Sequence, residues 1–178
     1  EIMQELCPEL KNTKPGSPLY SKKLPFLRNV VTVGFSMQGC LTYEQMLARS
    51  AMVPMEEVRR RASLVKPDDV CNMQYTSGTE GFPKGVMLTS RNIVNDGYYI
   101  GENMNYTAKD RLLLQVPLFH CFGIVLATMN ILTHGCTEVM VERFDPLVTL
   151  ASIHKERCTS VYGVPTMFIA LFNHSSCN

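Results

Sequence analysis

The strongest constraint on how this chain folds lies in one run, Tyr75 to Gly85, with the sequence YTSGTEGFPKG. Its three glycines allow the backbone to turn tightly and to approach a ligand without a Cβ in the way. The flanking segments, Val70 to Tyr75 and Gly85 to Leu88, have the composition of short strands. The sequence therefore predicts two strands joined by a glycine-rich loop.

The side chains of this loop suit the binding of phosphate. Four of them can donate hydrogen bonds or positive charge to phosphate oxygens: Thr76, Ser77, Thr79 and Lys84. Three glycines allow successive backbone N–H groups to point at an anion: Gly78, Gly81 and Gly85. Each charge-assisted hydrogen bond contributes about 1.5 to 3 kcal/mol, so three or four of them would give a useful nucleotide affinity.

The P-loop of nucleoside triphosphatases is the competing interpretation, and the chain does not match it. That motif has four residues between its first glycine and a Gly-Lys-Ser/Thr that opens a helix. Counted from Gly78, the second required glycine falls on Pro83, and Gly85 stands where the hydroxyl residue belongs. A strand is also predicted after the loop, where the P-loop has a helix.

Residues 76–85 resemble the signature loop of the adenylate-forming enzymes, the superfamily of acyl-CoA synthetases, luciferases and peptide-synthetase adenylation domains. Nine of ten positions agree with its pattern, Thr-Ser-Gly-Ser/Thr-Thr-Gly-x-Pro-Lys-Gly. The resemblance implies that the nucleotide is bound by Thr76, Ser77, Gly78, Thr79, Glu80, Gly81, Phe82, Pro83 and Lys84. Glu80 replaces the usual threonine, and we expect it to face solvent or magnesium because its carboxylate would repel a triphosphate.

Three downstream segments resemble the fatty acyl-CoA synthetase branch in order and spacing: VMLTSRN from Val86, VPLFHCFG from Val116 and VYGVPTMFIAL from Val161. A weaker similarity covers KLPFLRNVVTVG, which begins at Lys23. In relatives the histidine of the VPLFHCFG block lies near the carboxylate and the α-phosphate. The resemblance therefore implies that His120 and Lys84 are the catalytic residues.

The reaction implied by this resemblance is the ATP-dependent activation of a carboxylic acid, a fatty acid in this branch, to an acyl-adenylate and then to an acyl-CoA. ATP, Mg²⁺ and coenzyme A would be required, and no residue is assigned as a metal ligand. The family's later motifs, its hinge and its C-terminal domain with a catalytic lysine do not appear before Asn178. We therefore expect the C-terminal domain to be absent and the isolated chain not to complete the reaction.

Two alternatives stay open. The chain could belong to another branch, an aryl-CoA ligase or a peptide-synthetase adenylation domain, or it could be an isolated nucleotide-binding fragment without turnover. A third interpretation treats His120 and Cys121 as base and nucleophile. It is disfavoured, because adjacent side chains seldom face each other and no third group is evident to orient the histidine.

The sequence after Lys66 alternates between strand-like and helix-like segments. The predicted helices are Asn92–Met104, Phe122–Leu132 and Pro146–Arg157, and the predicted strands are Arg111–Val116, Thr137–Val141 and Cys158–Tyr162. This alternation predicts an α/β fold with a largely parallel sheet flanked by helices, as in part of the N-terminal domain of an adenylate-forming enzyme.

A predicted turn, Lys66-Pro67-Asp68-Asp69, suggests a boundary between an N-terminal segment at residues 1–66 and an AMP-binding core subdomain with the phosphate-binding loop at residues 67–178. Within the first segment, Thr42 and Gln45 predict a capping box for a helix through Ala51. Pro54 predicts the start of a second helix, which extends through Val65.

Composition limits the partners and the location. A net charge of +1 gives no electrostatic reason to expect nucleic acid, so the expected partner is a small carboxylic acid, with oligomerisation left open. Seven cysteines without a CxxC pair predict reduced, mostly buried thiols in the cytoplasm. No secretion signal is evident, and the uncharged stretch Leu112–Thr137 has too short an apolar piece to predict a transmembrane segment.

Overall fold

The computed structural model describes residues 2–79 and 81–177. These residues form two compact units that divide between Val65 and Lys66. Among the described residues, no helix is long and apolar enough to cross a membrane.

The first unit contains short helices and a pair of two-residue strands. Its elements are α1 (Ile2–Leu6), a 3₁₀ helix (Pro8–Asn12), β1 (Val31–Thr32), β2 (Leu41–Thr42), α2 (Tyr43–Ala48), a 3₁₀ helix (Arg49–Met52) and α3 (Met55–Ala62). Strands β1 and β2 pair in parallel. The buried core of this unit consists of Cys7, Leu10, Leu19 and Cys40.

The predicted capping box starts helix α2. The Gln45 N–H donates to the Thr42 hydroxyl at 3.3 Å, and the Thr42 N–H donates to Gln45 Oε1 at 3.0 Å, which satisfies two N–H groups at the start of the helix. Both predicted helices of this unit are shorter than expected. Helix α2 tightens into a 3₁₀ turn at Arg49, and α3 ends at Ala62 rather than at Val65.

The second unit begins with an antiparallel hairpin, which confirms the predicted strand, loop and strand. Its strands are β3 (Val70–Thr76) and β4 (Lys84–Thr89), and the ladder runs to the pair Thr76 and Lys84. Helix α4 (Ser90–Met104) follows directly, with a capping box between Thr89 and Asn92.

A three-stranded parallel sheet forms the centre of the second unit. Strand β5 (Arg111–Leu114) lies between β6 (Thr137–Met140) and β7 (Ser160–Val161). Helical crossovers connect the strands: a π-helical segment (Phe122–Met129) with α5 (Asn130–His134), and then α6 (Pro146–Glu156), with α7 (Pro165–Phe172) after β7. Leu112 and Leu113 of β5 are completely buried, because helices cover both faces of the sheet. The predicted α/β fold is therefore confirmed.

The structure also corrects the predictions for one helix and for the cysteines. Phe122–Leu132 was expected to be a single helix, yet it is π-helical as far as Met129, because an apolar run does not distinguish α from π geometry. Seven free thiols were expected to be mostly buried, yet only Cys7 and Cys40 are buried and Cys71 is exposed. Cys71 lies on the open side of the hairpin, where its thiol donates to the Leu88 carbonyl at 3.6 Å.

A buried polar contact joins α5 to the residue that follows β7. Asn130 is completely buried, and its Nδ2 donates to the Tyr162 hydroxyl at 3.2 Å. The Asn130 Oδ1 has no hydrogen-bond partner among the described residues. Burial is the main cause that raises the pKa of Tyr162 to about 12, so this hydroxyl stays neutral under ordinary conditions.

Tyr162→Phe should lower the free energy of unfolding by about 1 to 3 kcal/mol, because the buried Asn130 amide would lose its acceptor. The matched control is Tyr99→Phe, whose side chain is 63% exposed and which should be nearly neutral. Urea unfolding followed by far-UV circular dichroism measures both values. Equal stability of the two variants would contradict this role of Tyr162.

Candidate functional site

The glycine-rich loop projects from the end of the β3–β4 hairpin. Thr76 and Lys84 pair at its base, and the described residues between them belong to no helix or strand. All of these residues are exposed except Gly78, which is half-buried. Glu80, the position that departs from the family pattern, lies outside the described residues. The loop backbone is therefore accessible to a ligand along most of its length.

Gly78 is required by the shape of this loop. Its φ is +69°, and a Cβ at this position would lie 2.1 Å from the Phe82 carbonyl oxygen. Gly81 also has a positive φ, +88°, but apart from its chain neighbours no described residue lies within 4 Å of the position where its Cβ would be. Glycine at both positions avoids the backbone strain of a positive φ. Only Gly78 also allows the close approach to the Phe82 carbonyl, so the two glycines distinguish strain from contact.

Lys84 is the first residue of β4, and its side chain is exposed. Its ammonium group makes no hydrogen bond or ion pair with any residue in the described part of the chain. An ammonium group without such a partner can bind an incoming anion without first breaking an ion pair. The pairing with Thr76 holds this charge at the base of the loop.

His120 lies in the turn that follows β5, and it is exposed. The Phe122 N–H donates to His120 Nδ1 at 3.0 Å, and the His120 N–H donates to the Pro117 carbonyl at 3.2 Å. Because Nδ1 accepts a hydrogen bond, we assign the proton of the neutral ring to Nε2. Nε2 has no partner among the described residues, so it is available to donate to a ligand oxygen.

Cys121 faces the same imidazole, which corrects the expectation that these neighbours point apart. Its Sγ lies 3.7 Å from His120 Nδ1, because the tight turn brings both side chains to one side. The Nδ1 lone pair already accepts the Phe122 N–H, so the ring is poorly placed to take the thiol proton. The geometry therefore favours His120 as a donor over a Cys–His nucleophile.

An open groove of about 790 Å³ connects the loop with the histidine turn. Its apolar walls come from the hairpin, α4 and the π-helical segment: Val86, Leu88, Ile93, Tyr99, Val125 and Leu126. Thr76 of the loop and Cys121 beside His120 also line this groove. Neither of the predicted catalytic residues, Lys84 and His120, lines the groove. Lys84 pairs with Thr76 on the hairpin and His120 directly precedes Cys121, and both of these neighbours line it.

The sequence analysis did not identify the walls of this groove. A usable signal existed on α4, where Asn92, Asp96 and Tyr99 recur at the spacing of one helical face and all line the groove. On β4, Val86 and Leu88 lie two residues apart and therefore on one face of the strand.

A second cavity, of about 530 Å³, lies at the carboxyl ends of β5 and β6. Its lining includes Leu118, Met140, Phe144 and Met167. Ligands of α/β proteins commonly bind at this edge of a parallel sheet. Within the described part of the chain, no group of three or more His, Cys, Asp or Glu side chains is placed to hold a metal ion.

Comparison with known proteins gives consistent matches. A family model described as AMP-binding enzyme matches residues 18–178. The acyl-CoA ligase SID4 of Ajellomyces capsulatus is 44% identical over 166 residues, which cover 92% of this chain and 28% of SID4. The human mitochondrial medium-chain acyl-CoA ligase ACSF2 is 35% identical over 178 residues, 97% of this chain and 29% of ACSF2.

One solved structure similar to this chain is O-succinylbenzoate coenzyme A synthetase (MenE) from Bacillus subtilis in complex with ATP and a magnesium ion. The TM-score is 0.58 and the sequence identity is 34%, over 62% of this chain and 23% of that one. The chain thus spans less than a third of the length of SID4, of ACSF2 and of the MenE chain.

Gly78→Ala should disrupt the loop far more than Gly81→Ala does. Both changes add about 1 to 2 kcal/mol of left-handed strain, but only the first also places a methyl group against the Phe82 carbonyl. Hydrogen exchange of the paired amides at Tyr75 and Gly85 should accelerate roughly tenfold more in Gly78→Ala, since 1.4 kcal/mol corresponds to a factor of ten. Equal acceleration in both variants would show that the contact is unimportant.

Proposed function

The chain belongs to the AMP-binding enzyme family, and from this premise we propose that its full-length parent is an acid–thiol ligase that converts a carboxylic acid to an acyl-adenylate and then to an acyl-CoA. The observation that carries the proposal is the exposed glycine-rich loop with Lys84 at its base, whose ammonium has no partner among the described residues. Two relatives named as acyl-CoA ligases and a synthetase structure with ATP and magnesium support this reaction class.

Adenylation solves the problem that a carboxylate is a poor electrophile. A carboxylate oxygen attacks the α-phosphorus of ATP, the bond to pyrophosphate breaks, and a mixed anhydride with AMP results. The thiolate of coenzyme A then attacks the acyl carbon, and AMP leaves. Both steps need groups that stabilise the negative charge as it develops, which is a large contribution in enzymes of this kind.

The loop is the proposed site for the β- and γ-phosphates. Its hydroxyl groups, its backbone N–H groups and the Lys84 ammonium would donate to phosphate oxygens over Thr76–Lys84 and stabilise the departing pyrophosphate. Magnesium bound together with ATP would supply further positive charge to stabilise the departing pyrophosphate.

His120 is the proposed contact to the reacting carboxyl group. The Phe122 N–H holds Nδ1 as an acceptor, which places the proton on Nε2, and this N–H has no partner among the described residues. A donor aimed at the reacting oxygen stabilises the charge that builds up there during acyl transfer. His120 therefore acts in this proposal as a hydrogen-bond donor.

The groove is the proposed site for the hydrocarbon part of the acid. Its volume of about 790 Å³ lies within the range of roughly 300 to 1,000 Å³ typical of small-molecule pockets. Its aliphatic walls, which include Val86, Leu88 and Ile93, favour a fatty acid over an amino acid.

We propose that residues 67–178 form the AMP-binding core with residues 1–66 as its N-terminal segment, and that this chain alone binds nucleotide without turnover.

Lys84→Ala should weaken the binding of ATP with magnesium to this chain by about tenfold to a hundredfold, because one charge-assisted hydrogen bond is lost. Isothermal titration calorimetry measures this change. Lys109→Ala, which removes an exposed lysine outside the loop, is the matched control and should bind normally. If both variants bind ATP like the unaltered chain, Lys84 is not part of the nucleotide site.

In the full-length parent, His120→Gln should lower kcat for adenylation by about a hundredfold to a thousandfold, as expected when a donor to a developing charge is removed. ATP–pyrophosphate exchange across fatty, aromatic and amino acids measures both this rate and the branch. Fatty acids should give the highest exchange. A preference for aromatic or amino acids would move the chain to the aryl-CoA ligase or peptide-synthetase branch.

A further inference from the structure

The π-helical segment begins two residues after His120, and one hydroxyl group near its end makes two contacts. Thr128 Oγ1 lies 3.3 Å from the carbonyl oxygen of Gly123 and 3.0 Å from Glu138 Oε1. The first contact spans five residues, the same spacing as the hydrogen bonds of a π helix. A hydroxyl group has a single proton to donate, so a charged Glu138 carboxylate and the Gly123 carbonyl compete for it.

Glu138 is held in unusual surroundings for a carboxyl group. It lies on β6 opposite Leu112, which is completely buried, and its own side chain is only partly exposed. Burial is the dominant cause that raises the pKa of Glu138, whereas the Thr128 hydrogen bond acts in the opposite direction. No lysine, arginine or histidine of the described residues pairs with it, and the titratable group nearest to it along the chain is the Cys136 thiol, just before β6.

The protonation state of Glu138 decides which of the two contacts Thr128 can make. A charged carboxylate is the stronger acceptor and takes the hydroxyl proton. A protonated carboxyl can instead donate to Thr128 Oγ1, which then donates its own proton to the Gly123 carbonyl. With Glu138 protonated, the Thr128 hydroxyl therefore donates to the Gly123 carbonyl and closes the first turn of the π-helical segment. With Glu138 charged, it does not.

Gly123 links this turn to the histidine. The Gly123 and Ile124 N–H groups both donate to the His120 carbonyl, at 3.0 and 3.1 Å. A Cβ on Gly123 would lie 2.4 Å from the Pro117 carbonyl oxygen, so Gly123 packs closely against the start of the histidine turn. These contacts link the Gly123 peptide to the backbone that carries His120.

We propose that Thr128 and Glu138 are positioning residues for His120. The Thr128 hydroxyl alternates between the Gly123 carbonyl and the Glu138 carboxyl. This alternation sets the start of the π-helical segment and the orientation of the His120 turn. The effect on catalysis rests on the proposed function, whereas the coupling itself does not. Neither residue contacts the reacting atoms, since both act through Gly123.

Nuclear magnetic resonance titration of this isotope-labelled chain tests the coupling. The Gly123 carbonyl ¹³C resonance and the Glu138 carboxyl ¹³C resonance should shift with the same midpoint, above the ordinary value of 4.5. Glu138→Gln should abolish the Gly123 transition, because the glutamine amide can donate to Thr128 at every pH. Thr128→Val should abolish it as well, whereas Thr128→Ser should retain it because the hydroxyl is restored.

The proposal would be overturned if the Gly123 carbonyl resonance did not shift at the midpoint of Glu138. It would also be overturned if the same shift persisted in Glu138→Gln. Thr128→Val and Glu138→Gln keep the side chains nearly isosteric, so circular dichroism should show an unchanged fold in both. In the full-length parent, Thr128→Val should lower kcat about tenfold at unchanged KM for ATP, and Thr128→Ser should restore it; an unchanged kcat would refute the positioning role. If the unaltered chain does not bind ATP but the Gly123 resonance still titrates with Glu138, the result would count against the proposed function alone.

Discussion

The pairing of Thr76 with Lys84 is the constraint on which the candidate site depends. This last pair of the β3–β4 ladder fixes both ends of the glycine-rich loop, while the approach of Gly78 to the Phe82 carbonyl fixes its path. The residues of the loop are consequently exposed. The Lys84 ammonium has no counter-ion among the described residues. A binding loop on a rigid hairpin loses little conformational freedom when a ligand arrives, which favours affinity.

The parallel sheet supplies the second half of the site. Strand β5 is the buried centre of the sheet, and the chain leaves its carboxyl end through the turn that carries His120. Hydrogen bonds from Phe122, Gly123 and Ile124 to His120 order this turn, so the ring is oriented by backbone groups. The groove lies between this turn and the hairpin, where Thr76 and Cys121 both line it. Phosphate binding and acid binding are thus proposed on neighbouring elements of one unit.

Much of this arrangement could be predicted from sequence because local rules determine it. The strand-like segments on either side of the glycine-rich loop predicted β3 and β4, an apolar run predicted β5, and the Thr42 and Gln45 spacing predicted a helix start. The π-helical geometry of Phe122–Met129 could not be predicted, since an apolar run does not distinguish α from π geometry. The contact of Cys121 with His120 likewise arises from a turn whose shape the residue types do not specify. The groove was missed because its walls come from segments far apart in sequence.

The central claim is that the glycine-rich loop binds the phosphates of ATP. The most direct measurement is a map of backbone amide shifts in this chain on addition of ATP with magnesium. The account predicts that the largest shifts fall on Ser77, Gly78, Thr79, Gly81 and Lys84. Shifts confined to the cavity at the carboxyl ends of β5 and β6, around Leu118 and Met140, would contradict it.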